Sequence, residues 1–258
     1  MANVLITGAA GLIGSVLWER LGEAHNLRGI DRRRVSVPGM RRADVRRLRS
    51  IQGSFAGVDA VVDLASGSDA DLAWRGVWRD SAARVNVLEA ARRHGVPRYI
   101  FASSNHVTGL YEREHPYAEI VAGAYEGLDP AATPLIGSQS ALRPDGPYAV
   151  GKVAGEAAAR YYADAYGLSC VCLRIGTVNR ADRPSRPRHF ATLLTHADLA
   201  RLVDCAIRAP LEHRYGVYYG VSQNTWRFWD IDEARAGIGF VPQDNAERFR
   251  SEEALERP

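Results

Sequence analysis

The sequence predicts an α/β protein whose core is a doubly wound parallel sheet. Three observations predict it. Short apolar runs alternate with helical patterns through the first half of the chain. A turn with glycines at three-residue intervals joins the first run to the first helix. A tyrosine and a lysine, four positions apart, open a later helix. In order, residues 4–6 read as a buried strand, 12–21 as a helix, 27–30 as a strand and 58–64 as another. Residues 82–94 place Val85, Leu88 and Ala91 at helical spacing, and 99–102 form a fourth strand. Apolar strands alternating with helices imply a sheet covered on both faces. Residues 111–147 carry Pro116, Pro130, Pro134, Pro144 and Pro147 and read as a long loop or lid. A helix over 148–166 and a strand over 170–175 follow, then an irregular Arg/Pro stretch at 179–189. A helix at 197–208, a strand at 217–221 and a short helix at 231–236 complete the pattern.

The length of 258 residues fits one α/β domain. Residues 1–176 are expected to be mainly a nucleotide-binding core, and 177–258 mainly a small C-terminal substrate subdomain. A hydrophobic content of 46% fills a core and excludes wholesale disorder. No apolar run reaches the roughly 20 residues of a membrane span. The first strand begins at once with no leader, so no membrane or secreted role is expected. Cys170 and Cys172 share a strand face and read as buried free thiols, which fits a cytoplasmic compartment. A net charge of +3 does not suggest nucleic acid, and no metal cluster is expected. Of the 33 basic residues, 32 are Arg and one is Lys, at position 152.

Gly8-Ala9-Ala10-Gly11-Leu12-Ile13-Gly14 follows the first strand. Gly8 and Gly11 allow a tight turn and close approach of a pyrophosphate to Ala10, Leu12 and Ile13. Gly14 lets helix and strand pack closely, and the helix N-terminus favours the negative charge. Strand, turn and helix in this order define a Rossmann-type dinucleotide cradle. Asp31 ends the second strand about 20 residues later, where an acid accepts the ribose hydroxyls and repels a 2′-phosphate. NAD is therefore the expected cofactor. Arg32, Arg33 and Arg34 follow, as a solvated basic face or as partial tolerance of a 2′-phosphate. Asp44 and Val45 are expected beside the adenine, and Ala65, Ser66 and Gly67 near the middle of the cofactor.

Tyr148 and Lys152 share a helix face. A tyrosine ionises near pH 10, and moving it to neutrality takes about 4 kcal/mol. An ammonium at about 4 Å supplies an energy of that order at an effective dielectric near 20. Ser104 ends the fourth strand, where ligand-facing residues of open parallel sheets lie. Its hydroxyl can hold a substrate oxygen while Tyr148 takes the proton. His106 is either a substrate ligand or a packed loop histidine.

These motifs, with the tail 234–242, resemble the extended short-chain dehydrogenase/reductase superfamily over nearly the whole chain. The stretches 101–106, 143–146, 174–176, 195–198 and 242–246 look closest to uronate dehydrogenases. The resemblance implies NAD-dependent oxidation of the C1 hydroxyl of a hexuronate to an aldonolactone. Related sequences act on glucose 6-phosphate or neutral aldoses, and others are nucleotide-sugar epimerases or dehydratases. By that resemblance Tyr148 is the base, Lys152 its modulator and Ser104 the third catalytic residue. Ser68, Asn105, His106 and Thr177 line the sugar, and Arg188 binds the substrate's anionic group. Superfamily dimers and tetramers imply, by analogy, a homo-oligomer. Asp80 stands where Asn is usual and Ala83 where Gly is common. Asp63 stands where His is often found and reads as a packing variation.

The lone lysine yields a test. Lys152→Arg keeps the charge but loses the compact ammonium and its ribose contacts, so it should lose most turnover in a cofactor-reduction assay.

Overall fold

The structure, a computed structural model, describes residues 1–34, 36–66 and 74–250. Strand β1 (Asn3–Thr7) leads into helix α1 (Leu12–Leu21), then β2 (Asn26–Asp31), β3 (Met40–Arg42), the short α2 (Leu48–Ile51) and β4 (Ala60–Asp63). Helix α3 (Trp74–Arg93), β5 (Arg98–Ser104), a 3-10 segment (Asn105–Arg113) and α4 (Tyr117–Ala122) follow. Then come α5 (Pro147–Tyr166), β6 (Ser169–Ile175), α6 (His189–Thr192), α7 (His196–Arg208), β7 (Tyr215–Gly220) and α8 (Asp232–Ile238). The sheet runs β3-β2-β1-β4-β5-β6-β7, and every adjacent pair is parallel. Strand order reverses between β1 and β4, which opens a crevice at their C-terminal ends, where ligands bind in such sheets.

Alternation along the strands sends side chains to two cores. Val4, Ile6, Val62 and Ile100 join α1 and α7 on one face. Leu5, Val61, Phe101, Cys170 and Cys172 pack under α3 and α5 on the other. Helix α5 starts with Pro147 in its first turn and ends at Gly167 in the left-handed region. A Cβ at Gly151 would lie 3.0 Å from Val77 Cγ1. One at Gly155 would lie 2.5 Å from Phe101 Cζ and 2.9 Å from Arg84 Cδ. These two positions bring α5 close against α3 and β5.

Four expectations change. β3 adds an edge strand too short to show a period. Helix α3 starts at Trp74, well before residue 82, and its buried stripe includes Val77, Ala83, Arg84, Val87, Leu88 and Ala91. Val85, expected inward, is 44% exposed. The 111–147 stretch is no open lid. Tyr117, Ile120 and Ile136 are buried with Phe228 and Trp229, and Ile136 forms a parallel bridge to Trp229. Aromatic burial holds this proline-rich segment without long regular elements.

The close crossing gives a stability test. Gly155→Ala should cost about 1–3 kcal/mol by overpacking, read as a lower Tm. Gly53→Ala, which meets nothing within 4 Å, should change Tm little.

Candidate functional site

The glycine turn sits at the β1/β4 crevice. Gly8 has φ +68, and a Cβ there would press on the Leu64 and Ala65 backbone at 3.0–3.1 Å. A Cβ on Gly14 would lie 2.5 Å from the Ala9 carbonyl oxygen. No side chain caps α1 at Gly11, so the first-turn N–H groups around Leu12 and Ile13 are open to an anion. The Asp31 carboxylate accepts from the Ala10 N–H at 3.1 Å and from Arg33 Nε and Nη2 at 3.1 and 3.2 Å. Burial pushes this carboxyl up, but the bonds from Arg33 and Ala10 outweigh that and hold it below its ordinary value. Asp44 is held at about 2 by its hydrogen bond from Arg46, and the Val45 carbonyl accepts from Asn86. The Ala65 N–H donates to the Thr7 hydroxyl. These features fit a dinucleotide: an uncapped helix start, a backbone cradle with no room for side chains, and an acid at the end of β2. Gly67 and Ser68 lie outside the described residues.

Ser104 ends β5 opposite Ile175 of β6. It is buried, its oxygen accepts from the His106 N–H at 3.2 Å, and its hydroxyl interacts with the Tyr148 phenol. Lys152 is 5% exposed. Its Nζ donates to the Ala102 carbonyl at 2.7 Å and lies 5.3 Å from the centre of the Tyr148 ring. Ser66, Asp80, Arg84, Tyr148 and Lys152 line one small cavity. The three predicted catalytic side chains therefore meet.

Their ionisation differs from the sequence expectation. Lys152 is lowered to about 7, chiefly by burial and then by the Arg84 charge, against the opposing pull of Asp63, Asp80 and Glu156. Burial also raises Tyr148, opposed by Ser104 and Arg84. The lysine does not by itself make the phenol acidic, because taking both groups out of water favours their neutral forms.

Arg84 and Asp63 were not foreseen as part of the site. Asp63 is not a neutral packing variation. It accepts from the Thr7 hydroxyl at 2.6 Å and the Tyr99 hydroxyl at 2.7 Å, and its Oδ2 lies 3.8 Å from Arg84 Nε. The only sequence signal was a charged residue on the apolar stripe of α3. Behind α5, Glu156 accepts from Arg174 Nε and Nη2 at 3.0 and 2.9 Å and from Ser103 at 2.5 Å.

On the side of β5 and β6, His106 Nδ1 lies 2.5 Å from Asp145 Oδ2, and its ring stands edge-on to Tyr148 with centres 6.1 Å apart. The buried Asn105 Nδ2 has no hydrogen-bond partner among the described residues, an unmet donor beside Ser104. Thr177 Oγ1 lies 2.7 Å from Thr192 Oγ1 and accepts from Arg188 Nη1 at 3.3 Å. The Nε/Nη2 edge of Arg188 is filled. Its Nε and Nη2 donate to the two Glu112 oxygens, each at 2.6 Å. Glu112 carried no signal at its position in the 3-10 segment. Among the described residues no three His, Cys, Asp or Glu side chains group as metal ligands, and no helix is long and apolar enough to cross a membrane.

A parallel sheet of this order, with the cradle and the Ser/Tyr/Lys set at its C-terminal edge, defines the class of NAD-dependent oxidoreductases. The sequence profile of the NAD dependent epimerase/dehydratase family matches residues 4–215, and the chain belongs to that family. It is 33% identical to the NAD-dependent glucose-6-phosphate dehydrogenase of Haloferax volcanii, over 96% of each chain. It is 32% identical to the L-arabinose 1-dehydrogenase (NAD(P)(+)) of the same organism, over 95% of this chain and 98% of that one. The crystal structure of uronate dehydrogenase from Agrobacterium tumefaciens superposes with a TM-score of 0.82 at 31% identity, covering 100% of this chain and 90% of that one.

Lys152 also makes stability depend on pH. Its folded value of about 7 lies below the unfolded value of about 10.4, so between them the unfolded chain binds more protons. Stability from this group therefore rises with pH across that window, by about 5 kcal/mol in full. Urea unfolding at pH 7 and pH 10 should show that Lys152→Met removes this rise.

Proposed function

We propose that this chain is an NAD-dependent sugar dehydrogenase that oxidises the C1 hydroxyl of a cyclic aldose to the aldonolactone. The observation that carries this is the convergence of Ser104, Tyr148 and Lys152 at the edge of the cradle. NAD, when bound, supplies the hydride acceptor and a positively charged ring. Ser104 orients the C1 hydroxyl and Tyr148 takes its proton. Lys152 lies beside Tyr148 and would hold the cofactor's ribose hydroxyls. Asn105 offers its unmet donor to the sugar, and His106, tied to Asp145, walls the Tyr148 side.

The sugar class follows from Arg188. The resemblance assigned its fork to a substrate carboxylate, but Glu112 already fills it with two short charge-assisted bonds. A hexuronate or sugar phosphate that takes the Nε/Nη2 edge must displace Glu112, and one that accepts from the remaining N–H groups lies beside its carboxylate. A sugar hydroxyl can donate to Glu112 and accept from Arg188 with the pair intact. This supports a neutral aldose ahead of a hexuronate, the class the resemblance favoured.

The test is a panel of pentoses, hexoses, hexuronates and sugar phosphates with NAD, read as absorbance of reduced cofactor. Neutral aldoses should lead. Glu112→Gln should raise kcat/KM on hexuronates relative to neutral aldoses by about tenfold or more. A wild type that prefers hexuronates would overturn the reading of Glu112. No net reduction with any sugar would overturn the dehydrogenase, and isomerised products would point to an epimerase.

A further inference from the structure

Two cations share the Phe101 ring. The Arg84 guanidinium lies 4.2 Å from its centre and the Lys152 ammonium 5.2 Å. Arg84 is 3% exposed, and its Nε has no hydrogen-bond partner among the described residues. The carboxylate near that Nε is Asp63, at 3.8 Å, fixed by Thr7 and Tyr99. A Cβ at Gly155 would stand 2.9 Å from Arg84 Cδ, so α5 confines the side chain. An apolar residue would fill this place without the desolvation of a buried guanidinium, which amounts to several kcal/mol. The proposed reaction above gave Arg84 no task.

We propose that Arg84, held by Asp63, is a positioning residue that supplies a second, fixed positive charge to the Tyr148–Lys152 pair. This rests on Tyr148 being the base. The surrounding charges are Asp80 and Arg84 from α3, Asp63 from β4, Tyr99 from β5, and Tyr148, Lys152 and Glu156 from α5. Arg174 from β6 engages Glu156, and His106 with Asp145 faces Tyr148 from the opposite side. Behind the phenol, Arg84, Lys152 and Arg174 stand against the buried Asp63 and Glu156 and the half-buried Asp80. Lys152 sits near 7, so its charge fades at the pH where a phenolate is needed. A guanidinium keeps its charge throughout. Arg84 thus remains when the lysine titrates, and it favours the Tyr148 phenolate. Asp63 limits the cost to Lys152 by raising the lysine's proton affinity while Arg84 lowers it.

The test is the pH profile of kcat/KM for Arg84→Met and Arg84→Lys on a turned-over sugar. Arg84→Met should move the acid limb to higher pH by about one unit, roughly a tenfold loss below the limb. Arg84→Lys should return most of that displacement. A loss equal at every pH, with the limb unmoved, would show a merely structural role and overturn the proposal. If Arg84→Met does not fold, Asp63→Asn with Arg84→Met removes both charges and should show a smaller displacement in the same direction. Tyr148 can also be titrated without chemistry, as phenolate absorbance of the NAD complex minus that of its Tyr148→Phe counterpart. If no sugar is oxidised the dehydrogenase reading fails. A phenolate titration that is the same with and without Arg84 would still sink this proposal separately.

Discussion

With no side chain at positions 151 and 155, α5 settles onto Val77, Arg84 and Phe101 at distances that exclude a methyl group. That contact takes Lys152 out of water and sets its ammonium over Phe101 beside the Ala102 carbonyl. A wider crossing would leave the lysine hydrated and ordinary in its ionisation. Tyr148 lies one turn earlier on the same helix, so the same contact carries the phenol to Ser104 at the end of β5. The depth of one helix–helix crossing thus fixes both the positions and the proton affinities of Tyr148 and Lys152.

Burying charge on this scale requires compensation, and the three pairs in the site achieve it to different degrees. Glu156 and Arg174 are bonded through the Nε/Nη2 edge of the guanidinium and supplemented by Ser103 and Tyr219. Such a saturated pair ties α5 to β6 and leaves little charge to act elsewhere. Asp63 and Arg84 are looser, with the carboxylate's bonds spent on Thr7 and Tyr99. The uncompensated part of the guanidinium field is what reaches Lys152 and Tyr148. Glu112 and Arg188 are tightly forked but partly open to solvent, which suits a pair that meets a ligand.

Legibility in the sequence followed locality. The cradle, Asp31 and the Tyr148/Lys152 spacing depend on neighbours along the chain, and each lies where the residues alone placed it. Arg84 depended on helix phase. Starting α3 near residue 82 puts Val85 inward and makes Arg84 look like a solvent residue. Starting it at Trp74 continues the stripe from Val77 through Arg84 to Val87, Leu88 and Ala91. Residues 111–147 were misread for a related reason. Their prolines announce irregular backbone, but their burial depends on Phe228 and Trp229, more than a hundred positions after Tyr117. Glu112 belongs to that segment, and only the folded chain brings it to Arg188.

That last pairing bears on how an arginine should be read in a site. A guanidinium points to an anionic ligand most strongly when no internal carboxylate engages it. Once an internal carboxylate fills the fork, the site presents a neutral dipole with one face of acceptors and one of donors. Hydroxyls match such a surface, whereas a carboxylate meets a like charge at hydrogen-bond range. In a chain with 32 arginines, the partner of each guanidinium therefore carries more information than its presence. Arg33 on Asp31 and Arg174 on Glu156 are further instances. Under the proposed reading, the acid in the 3-10 segment, and not Arg188 alone, sets the charge preference of the site.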